Sequence, residues 1–406
     1  MVTIAYQTIS EAERRHPSEQ VIAAVRQQYP TEREIDAVFT RKMQRRNGPG
    51  YQPLPIERLV AGTEALISEA VGHPVTIGNA RWLSGGASKL QMVFDLKETD
   101  NTEPTPMVLR MEPAASVTES SRRREFEVLQ AVEGIIPAPI PYWVDTDARH
   151  LPYPGLVYSF AHGASKPSYD AGKVSGLGQN YGPQLRAKLA PQFVGLLGKL
   201  HTIDVASLTG LEHFERPQTG SNASVIRQVN AARRIWEEDR IDEEPVMEII
   251  YQWLIANAPP LDHVSIVHGD YRSGNFLFDE ERGEITAWLD WENATLGDRH
   301  QDLTYASNPL FEHLSEDGRT PISSGMMPQD ELQRAYEAAC GLSVDPARIV
   351  YYDIYNRYLT VALMLAASAR ASRGGGTHQD VLVNFVAGMG YLALAGLRKE
   401  FMGAIA

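Results

Sequence analysis

The chain has 406 residues, of which 43% are apolar and 22% are charged, and its formal charge is −13. A chain of this length exceeds a single small core and predicts two lobes or domains. The acidic balance argues against a general nucleic-acid-binding protein, which usually carries a basic face, and the composition is ordinary for a soluble protein.

The cysteine content and the apolar segments indicate a cytoplasmic location. Cys340 is the one cysteine, so a disulfide within the chain is excluded, which fits a reducing compartment. The N-terminus lacks the basic and apolar regions of a signal peptide. The longest apolar run, "YLTVALMLAASARAS", is too short to span a membrane and contains Arg370. We therefore expect a cytoplasmic protein without a membrane span.

The first 75 residues are predicted to be a helical extension. "SEQVIAAVRQQY" and "TEREIDAVFTRKMQRR" are its clearest helices, "NGPGYQPLP" is a linker, and "IERLVAGTEALISEAV" is a further helix. No acid–base or metal-ligand cluster stands out among these residues. We expect residues 1–75 to serve packing or to form a homodimer.

Residues 76–160 are predicted to form a small sheet with one helix. "VTIGNARWLSGGASKLQMVFDLKE" alternates as strands do around a glycine-rich break, and "SSRRREFEVLQAVEG" is an amphipathic helix. Glycines in such a break let backbone amides approach an anion, although most such hairpins are plain turns. The candidate anion-binding residues of this break are Ser84, Gly85, Gly86, Ala87 and Ser88.

Two charged residues follow the break. Arg110 lies on the next predicted strand, in "VLRME", and Glu125 lies on the helix. A strand cation paired with a helix carboxylate can be held over a phosphate group. For either residue alone, a solvated surface charge is the favoured interpretation.

Residues 161–406 are mainly helical, but a strand pair is predicted around "VHGDYRSGNFLFDE". Asp270 in this loop can orient a hydroxyl group and accept its proton, and Arg272 can reach a transferring phosphoryl group. Asn275 and Asp290, the latter in "WLDWE", offer oxygen ligands of the kind Mg²⁺ prefers. The loop therefore has the parts of a phosphotransfer site.

Two other charged features have competing interpretations. His268 could bind a metal, but no second His or Cys lies at ligand spacing, so a histidine that braces the loop is favoured. The acidic run "EEDRIDEE", Glu237 to Glu244, could attract a cationic substrate, but a solvated helix face is favoured.

The order of these motifs resembles the aminoglycoside phosphotransferase family, which shares the protein-kinase-like fold. The resemblance covers residues 76–400 and rests on the glycine-rich hairpin, the strand cation, the helix glutamate, "HGDYRSGN" and "LDWE". It implies a bilobal α+β fold, with a β-rich N-lobe at 76–160, a helical C-lobe at 161–406 and the N-terminal helical extension.

The resemblance also implies roles for single residues. Asp270 corresponds to the catalytic aspartate, and Asn275 and Asp290 to the metal ligands. "LVYSF" corresponds to the hinge whose backbone binds adenine, which adds Tyr158, Ser159 and Phe160 as nucleotide contacts. "LGDRHQDLTY" gives Asp298 and Asp302 mainly structural roles. ATP and Mg²⁺ are the implied cofactors.

One departure from the family affects the expected activity. Arg110 replaces the usual strand lysine, keeping its charge but not its shape. The motifs "VLR" and "LDWE" are similar to those of a subgroup associated with acyl-CoA dehydrogenases. The C-terminal stretch "VLVNFVAGMGYLALAGLRKEFMGAIA" contains a single acid, Glu400. We therefore expect a kinase that phosphorylates the hydroxyl group of an apolar or acyl-bearing small molecule.

Three other functions compete with the prediction of a small-molecule kinase. A non-catalytic nucleotide-binding pseudokinase is supported mainly by Arg110. An antibiotic phosphotransferase acting on aminoglycosides or macrolides is the second alternative. A metal hydrolase built on His268, Asp270 and Asp290 is disfavoured because further ligands are lacking.

Overall fold

A computed structural model describes residues 9–48, 52–83, 89–99, 103–113, 115–170, 177–373 and 380–406. Its α-helices are α1 (Glu11–Arg15), α2 (Glu19–Gln28), α3 (Arg33–Arg45), α4 (Ile56–Val71), α5 (Arg122–Val132), α6 (Gly182–His201), α7 (Ala223–Asp239), α8 (Pro245–Ala256), α9 (His300–Ala306), α10 (Gln329–Cys340), α11 (Pro346–Val361), α12 (Ser368–Arg373) and α13 (Asp380–Ile405). A π-helical segment, Ala362–Ala367, joins α11 to α12. Across the described ranges, no helix is both apolar enough and long enough to traverse a bilayer.

The strands fall into one large sheet and three small ones. The strands are β1 (Thr76–Trp82), β2 (Leu90–Lys97), β3 (Thr105–Met111), β4 (Pro141–Asp145), β5 (Gly155–Ser159), β6 (Ser265–Val267), β7 (Phe276–Asp279), β8 (Glu284–Trp288), β9 (Thr295–Gly297), β10 (His313–Leu314) and β11 (Pro321–Ile322). β1 to β5 form an antiparallel sheet in the order β1-β2-β3-β5-β4, while β6 pairs with β9, β7 with β8 and β10 with β11.

The large sheet has one helix on each face. α4 packs Leu59 and Ile67 against one face, and α5 packs Val128 and Leu129 against the other. Side chains alternate between the two faces along a strand. The apolar Leu109 of β3 therefore points to α4, and Arg110, the next residue, points to the α5 side. This alternation places Arg110 on the face where the site lies.

The helical lobe is built around α6, α9, α10 and α11. α6 buries Phe193 and Leu197 in the core that also contains Trp288 and Tyr336. A second core joins α7, α8, α11 and α13, with Trp236 and Tyr358 among its buried side chains. The loop that carries the candidate chemistry emerges from this lobe toward the sheet.

The first three helices dock on the helical lobe through buried ion pairs. The Lys42 Nζ atom lies 2.6 Å from the Glu238 carboxylate and 3.4 Å from Asp239. Asp36 lies 2.6 Å from Arg234 of α7. α1 to α3 therefore belong to the same body as α7, whereas α4 belongs to the sheet.

The acidic run was predicted to be a solvated helix face, and that prediction is wrong for its first residues. Glu237, Glu238 and Asp239 are at most 4% exposed. Burial alone would raise the pKa of Asp239, but the charges of Arg370 and Lys42, with that of Arg46, outweigh it and lower the pKa. The carboxylates are neutralised within the chain, so they do not form an open acidic surface.

Lys42→Met should destabilise the fold by about 3 kcal/mol, because removing one partner leaves a buried carboxylate incompletely paired. Methionine keeps much of the length of the side chain, and Arg234 still contacts Glu238 at 2.8 Å, so the low end of the expected range applies. Urea unfolding measures the difference. Arg15→Met, which removes an exposed pair with Glu11, is the control. Equal effects of the two substitutions would contradict the docking of α3 on α7.

Candidate active site

The loop between β6 and β7 carries the strongest sequence motif. The sequence predicted that the flanking strands pair, but β6 pairs with β9 and β7 pairs with β8. Gly269 has φ +79°, and a Cβ atom there would lie 2.5 Å from the Asn293 carbonyl oxygen. Glycine is therefore required where the loop turns against residues 292–294.

Asp302 fixes the start of this loop. Its carboxylate is fully buried and accepts hydrogen bonds from the backbone amides of His268 (2.7 Å) and Gly269 (2.8 Å). His201 Nε2 lies 3.2 Å from the same carboxylate. Burial lowers the pKa of His201, although Asp302 opposes this effect. A charge-assisted pair of backbone hydrogen bonds makes the loop rigid, as the structural role implied for Asp302 requires.

His268 connects the loop to the end of β8. Its Nδ1 atom accepts a hydrogen bond from the Asp270 amide (3.2 Å), and Nε2 donates to the Leu289 carbonyl oxygen (3.0 Å). This pattern requires the neutral tautomer protonated at Nε2. Both ring nitrogens have partners, which favours the bracing interpretation over a metal ligand.

Asp270 lies beside a cation and a phenol. The Arg272 Nε atom donates to Asp270 Oδ1 at 2.9 Å, and the guanidinium lies 4.5 Å from the Phe311 ring centre. The Tyr305 hydroxyl is next to both Asp270 and Arg272, and burial raises its pKa. The carboxylate is thus oriented by its neighbours while it stays 14% exposed.

Asn275 and Asp290 approach the same region from two strand ends. Asn275 Nδ2 donates to the Asp270 carbonyl oxygen (2.9 Å), and among the described residues no hydrogen bond to its amide oxygen is found. Asp290 follows β8 with left-handed backbone angles, φ 61° and ψ 48°, and its side chain is 36% exposed. Within the described ranges, no three His, Cys, Asp or Glu side chains are grouped to hold a metal. One carboxylate and one amide fit Mg²⁺ that is held partly by phosphates.

Arg110 joins three elements around one guanidinium. It lies 2.6 Å from Asp290, 3.2 Å from Glu292 and 3.3 Å from Glu125 of α5. Burial would lower the pKa of Arg110, but these carboxylates raise it well above the ordinary value. The predicted pairing of Arg110 with Glu125 is therefore present, and Arg110 also contacts the residue expected to bind the metal.

Sequence reasoning missed Lys89 and Glu292. The Lys89 Nζ atom lies 2.8 Å from Glu292 and 3.4 Å from Glu112, and Arg122 lies 3.1 Å from Glu292. Burial would raise the pKa of Glu292, but Lys89, Arg110 and Arg122 together lower it. The position of Lys89 directly after the glycine-rich break was the available signal for a second cation.

Among the residues predicted to contact the nucleotide, some backbone amides already donate hydrogen bonds within the chain. The amides of Ser159 and Phe160 donate to carbonyl oxygens of Ile140 and Pro106, so they are occupied. The Tyr158 side chain lies next to Arg110, and burial raises its pKa to about 12. The amide of Ala161 makes none of the backbone hydrogen bonds found in the described residues. The predicted turn Ser84–Ser88 lies outside the described ranges.

A cavity of about 140 Å³ extends from the loop into the helical lobe. Gly269 and Tyr305 line its loop end, and Val225, Ile235 and Leu363 line its apolar walls. Each of the four carboxylates in the lining has a cationic partner. The pairs are Glu32 with Arg124, Glu119 with Arg370, Glu292 with Lys89 and Asp298 with Arg348. The lining carboxylates are therefore already paired, and the cavity combines apolar side chains with uncharged polar ones such as Gln228 and Thr360.

Known proteins resemble the chain in sequence and in fold. A model of the phosphotransferase enzyme family matches residues 82–342. The chain is 25% identical over 322 residues to the probable acyl-CoA dehydrogenase IBR3 of Arabidopsis thaliana, a match that covers 72% of this chain and 38% of that protein. The chain thus spans about two fifths of the length of this relative.

Solved structures confirm the predicted bilobal, protein-kinase-like α+β fold. A putative aminoglycoside phosphotransferase from Ralstonia eutropha has a TM-score of 0.60 at 18% identity, covering 84% of this chain and 98% of that one. The GDP and kanamycin complex of APH(2")-IIia has a TM-score of 0.50 at 13% identity, covering 84% and 98%. The identities are low, so these likenesses concern the fold.

Asp302→Asn should weaken the fold by roughly 2–3 kcal/mol, the range for losing hydrogen bonds to a buried charge. An amide keeps one acceptor oxygen and turns an NH₂ group toward backbone N–H donors. Urea unfolding, with hydrogen exchange of the His268 and Gly269 amides, measures the loss. Asp204→Asn is the control, because Asp204 accepts from a backbone amide at the surface. Unchanged exchange at both loop amides would show that Asp302 does not hold the loop.

Proposed function

Since the chain belongs to the phosphotransferase enzyme family, we propose that it transfers the γ-phosphate of ATP to a hydroxyl group of a small, largely apolar molecule. The observation that carries this proposal is the place of Asp270. Its carboxylate is on a braced loop beside Tyr305, and Tyr305 lines the cavity that would receive the acceptor.

In the proposed reaction, Asp270 acts as the base. The acceptor oxygen attacks the γ-phosphorus, the bond from that phosphorus to the bridging oxygen of ADP breaks, and the hydroxyl proton passes to Asp270. Arg272 orients the carboxylate at 2.9 Å and would also contact the transferring phosphoryl group. Positioning and charge stabilisation would provide most of the rate acceleration.

Asn275 and Asp290 would hold magnesium on the nucleotide side of the loop. A magnesium ion bound there would offset the charge of the nucleotide phosphates. Arg110 would add a fixed cation, because Glu125 holds its guanidinium from α5. The intact base and metal ligands support an enzyme over a pseudokinase, and the Glu125 pair supports arginine as a substitute for the usual lysine.

We propose that the nucleotide contacts the glycine-rich residues 84–88, as the sequence predicts, and the segment after β5. The nucleotide bound in the neighbouring GDP complex supports a nucleotide at this site. For the adenine contacts, Ala161 joins the predicted residues Tyr158, Ser159 and Phe160, because its amide is available in the described part of the chain. ATP as the nucleotide rests on the family resemblance.

The cavity lining supports the proposed acceptor class. A polycationic sugar needs several unpaired carboxylates to offset its desolvation, and the lining carboxylates here are paired. The named acyl-CoA dehydrogenase relative also supports an acyl-bearing alcohol over an antibiotic. The apolar C-terminal stretch gives no support, because none of the described residues of α13 lines the cavity.

The division of the chain and its assembly remain proposals. We keep the boundaries 1–75, 76–160 and 161–406 for the extension, the nucleotide lobe and the acceptor lobe, and we keep a cytoplasmic location. A homodimer through residues 1–75 stays a prediction. The buried Ile22, Val25 and Phe39 already pack within the chain, so a dimer would use other faces of these helices.

Asp270→Asn should lower turnover by roughly 10²–10⁴-fold, the usual contribution of a positioned base. Nucleotide affinity should change little, because Asp270 is expected to face the acceptor. ADP release and calorimetric ATP binding measure the two quantities. Asp330→Asn, an exposed carboxylate on α10, is the matched control. A variant that keeps more than about a third of the wild-type rate would remove Asp270 from this role.

A hydroxyacyl thioester should be phosphorylated and kanamycin should not. The reason is that each of the four carboxylates in the described cavity lining already has a cationic partner, whereas kanamycin carries several ammonium groups. Parallel assays with ATP and Mg²⁺ measure ADP release for each compound. Efficient turnover of kanamycin, with kcat/KM of about 10⁴ M⁻¹s⁻¹ or more and none for the thioester, would favour the antibiotic alternative.

A further inference from the structure

We infer that α3 forms one wall of the acceptor cavity and limits the length of the apolar group that binds there. This inference rests on the proposed function only for the identity of the ligand as the acceptor. It assigns a specificity-determining role to residues of the N-terminal segment, for which the sequence suggested only packing or dimer formation.

Three side chains of the N-terminal segment line the cavity. Glu32, Ile35 and Phe39 all contribute to it, and Glu32 is the residue that precedes the first turn of α3. Their spacing of three and four residues places them on one face of a helix. One continuous helical face therefore forms this wall.

The wall is anchored at both ends. Glu32 lies 2.7 Å from Arg124 of α5, and Asp36 lies 2.6 Å from Arg234 of α7. Phe39 is 4% exposed, and the Arg234 guanidinium lies 5.2 Å from its ring centre. A wall held this way cannot retreat from a longer ligand without breaking buried ion pairs.

The volume and lining of the cavity indicate the size of the apolar group that it can hold. An apolar cavity of about 150 Å³ holds a molecule of the size of benzene, and this cavity measures about 140 Å³. Apolar Val225, Leu359 and Leu363 also line the cavity, together with polar Ser224, Gln228 and Thr360. The space therefore suits an apolar group of about six to eight carbon atoms, by comparison with that cavity.

Linear primary alcohols from 1-butanol to 1-decanol test the length limit without a known substrate. Nuclear magnetic resonance titration measures their affinity for the intact protein. For wild type, affinity should rise about fourfold per added methylene group, the usual gain from burial. The rise should stop at about six to eight carbons, where the cavity is full.

Two substitutions should move this limit in opposite directions. Ile35→Phe fills space and should shorten the limit by one or two carbons, roughly the volume added. Phe39→Leu opens space and should lengthen the limit by a similar amount, about one or two carbons. Val25→Ala is the matched control, because Val25 is buried in α2 but does not line the cavity, and it should keep the wild-type limit.

The experiment distinguishes failure of the α3 wall assignment from failure of the proposed phosphotransfer reaction. If both α3 variants fold, as circular dichroism reports, and keep the wild-type limit, the wall assignment is overturned. The same holds if no alcohol binds, or if Val25→Ala moves the limit equally. A limit that moves as expected supports the wall even where neither alcohols nor thioesters are phosphorylated, in which case the proposed reaction fails alone.

Discussion

The structure depends on a cluster of charged side chains, all buried except the partly exposed Asp290, where the sheet meets the helical lobe. Arg110 contributes from β3, Glu125 from α5, and Asp290 and Glu292 from the segment after β8. Removing such charges from water is expensive, and their mutual attraction compensates only when every partner is in place. The arrangement of the lobes is therefore set by charge pairing as well as by apolar packing. The same contacts place Arg110 beside the expected metal ligand.

A second group of buried charges ties the N-terminal helices to α7. A run of acids in a sequence ordinarily indicates a solvated surface, because isolated carboxylates are rarely buried. Here the cations Lys42 and Arg46 come from about 190 residues earlier in the chain, so the pattern near Glu238 contained no sign of them. The exposure of a run of charged residues cannot be predicted from that run alone when the residues that neutralise it are distant in sequence.

The parts of the site that could be predicted from the sequence are those formed by residues close together in the chain. Local signals sufficed for the loop around Asp270, because its glycines, its flanking strands and its polar residues are neighbours in sequence. The alternation of β3 and the helix after it sufficed for the pairing of Arg110 with Glu125. The pairing of β6 with β9, the docking of α3 and the cavity depend on contacts between distant segments. Periodicity carries no information on such contacts.

The first turn of α5 connects the two sides of the site. Arg124 contacts Glu32 beside the proposed acceptor cavity, while its neighbour Glu125 contacts Arg110 on the side proposed for the nucleotide. Ser121, which caps this helix, also donates a hydrogen bond to Glu34 of α3. Ser121, Arg124 and Glu125 lie within five consecutive residues at the start of α5, so the contacts with α3 and the contact with Arg110 are made by the same part of one helix. The N-terminal segment is thus bonded to the helix that carries Glu125, although all the motifs predicted for the site come later in the chain.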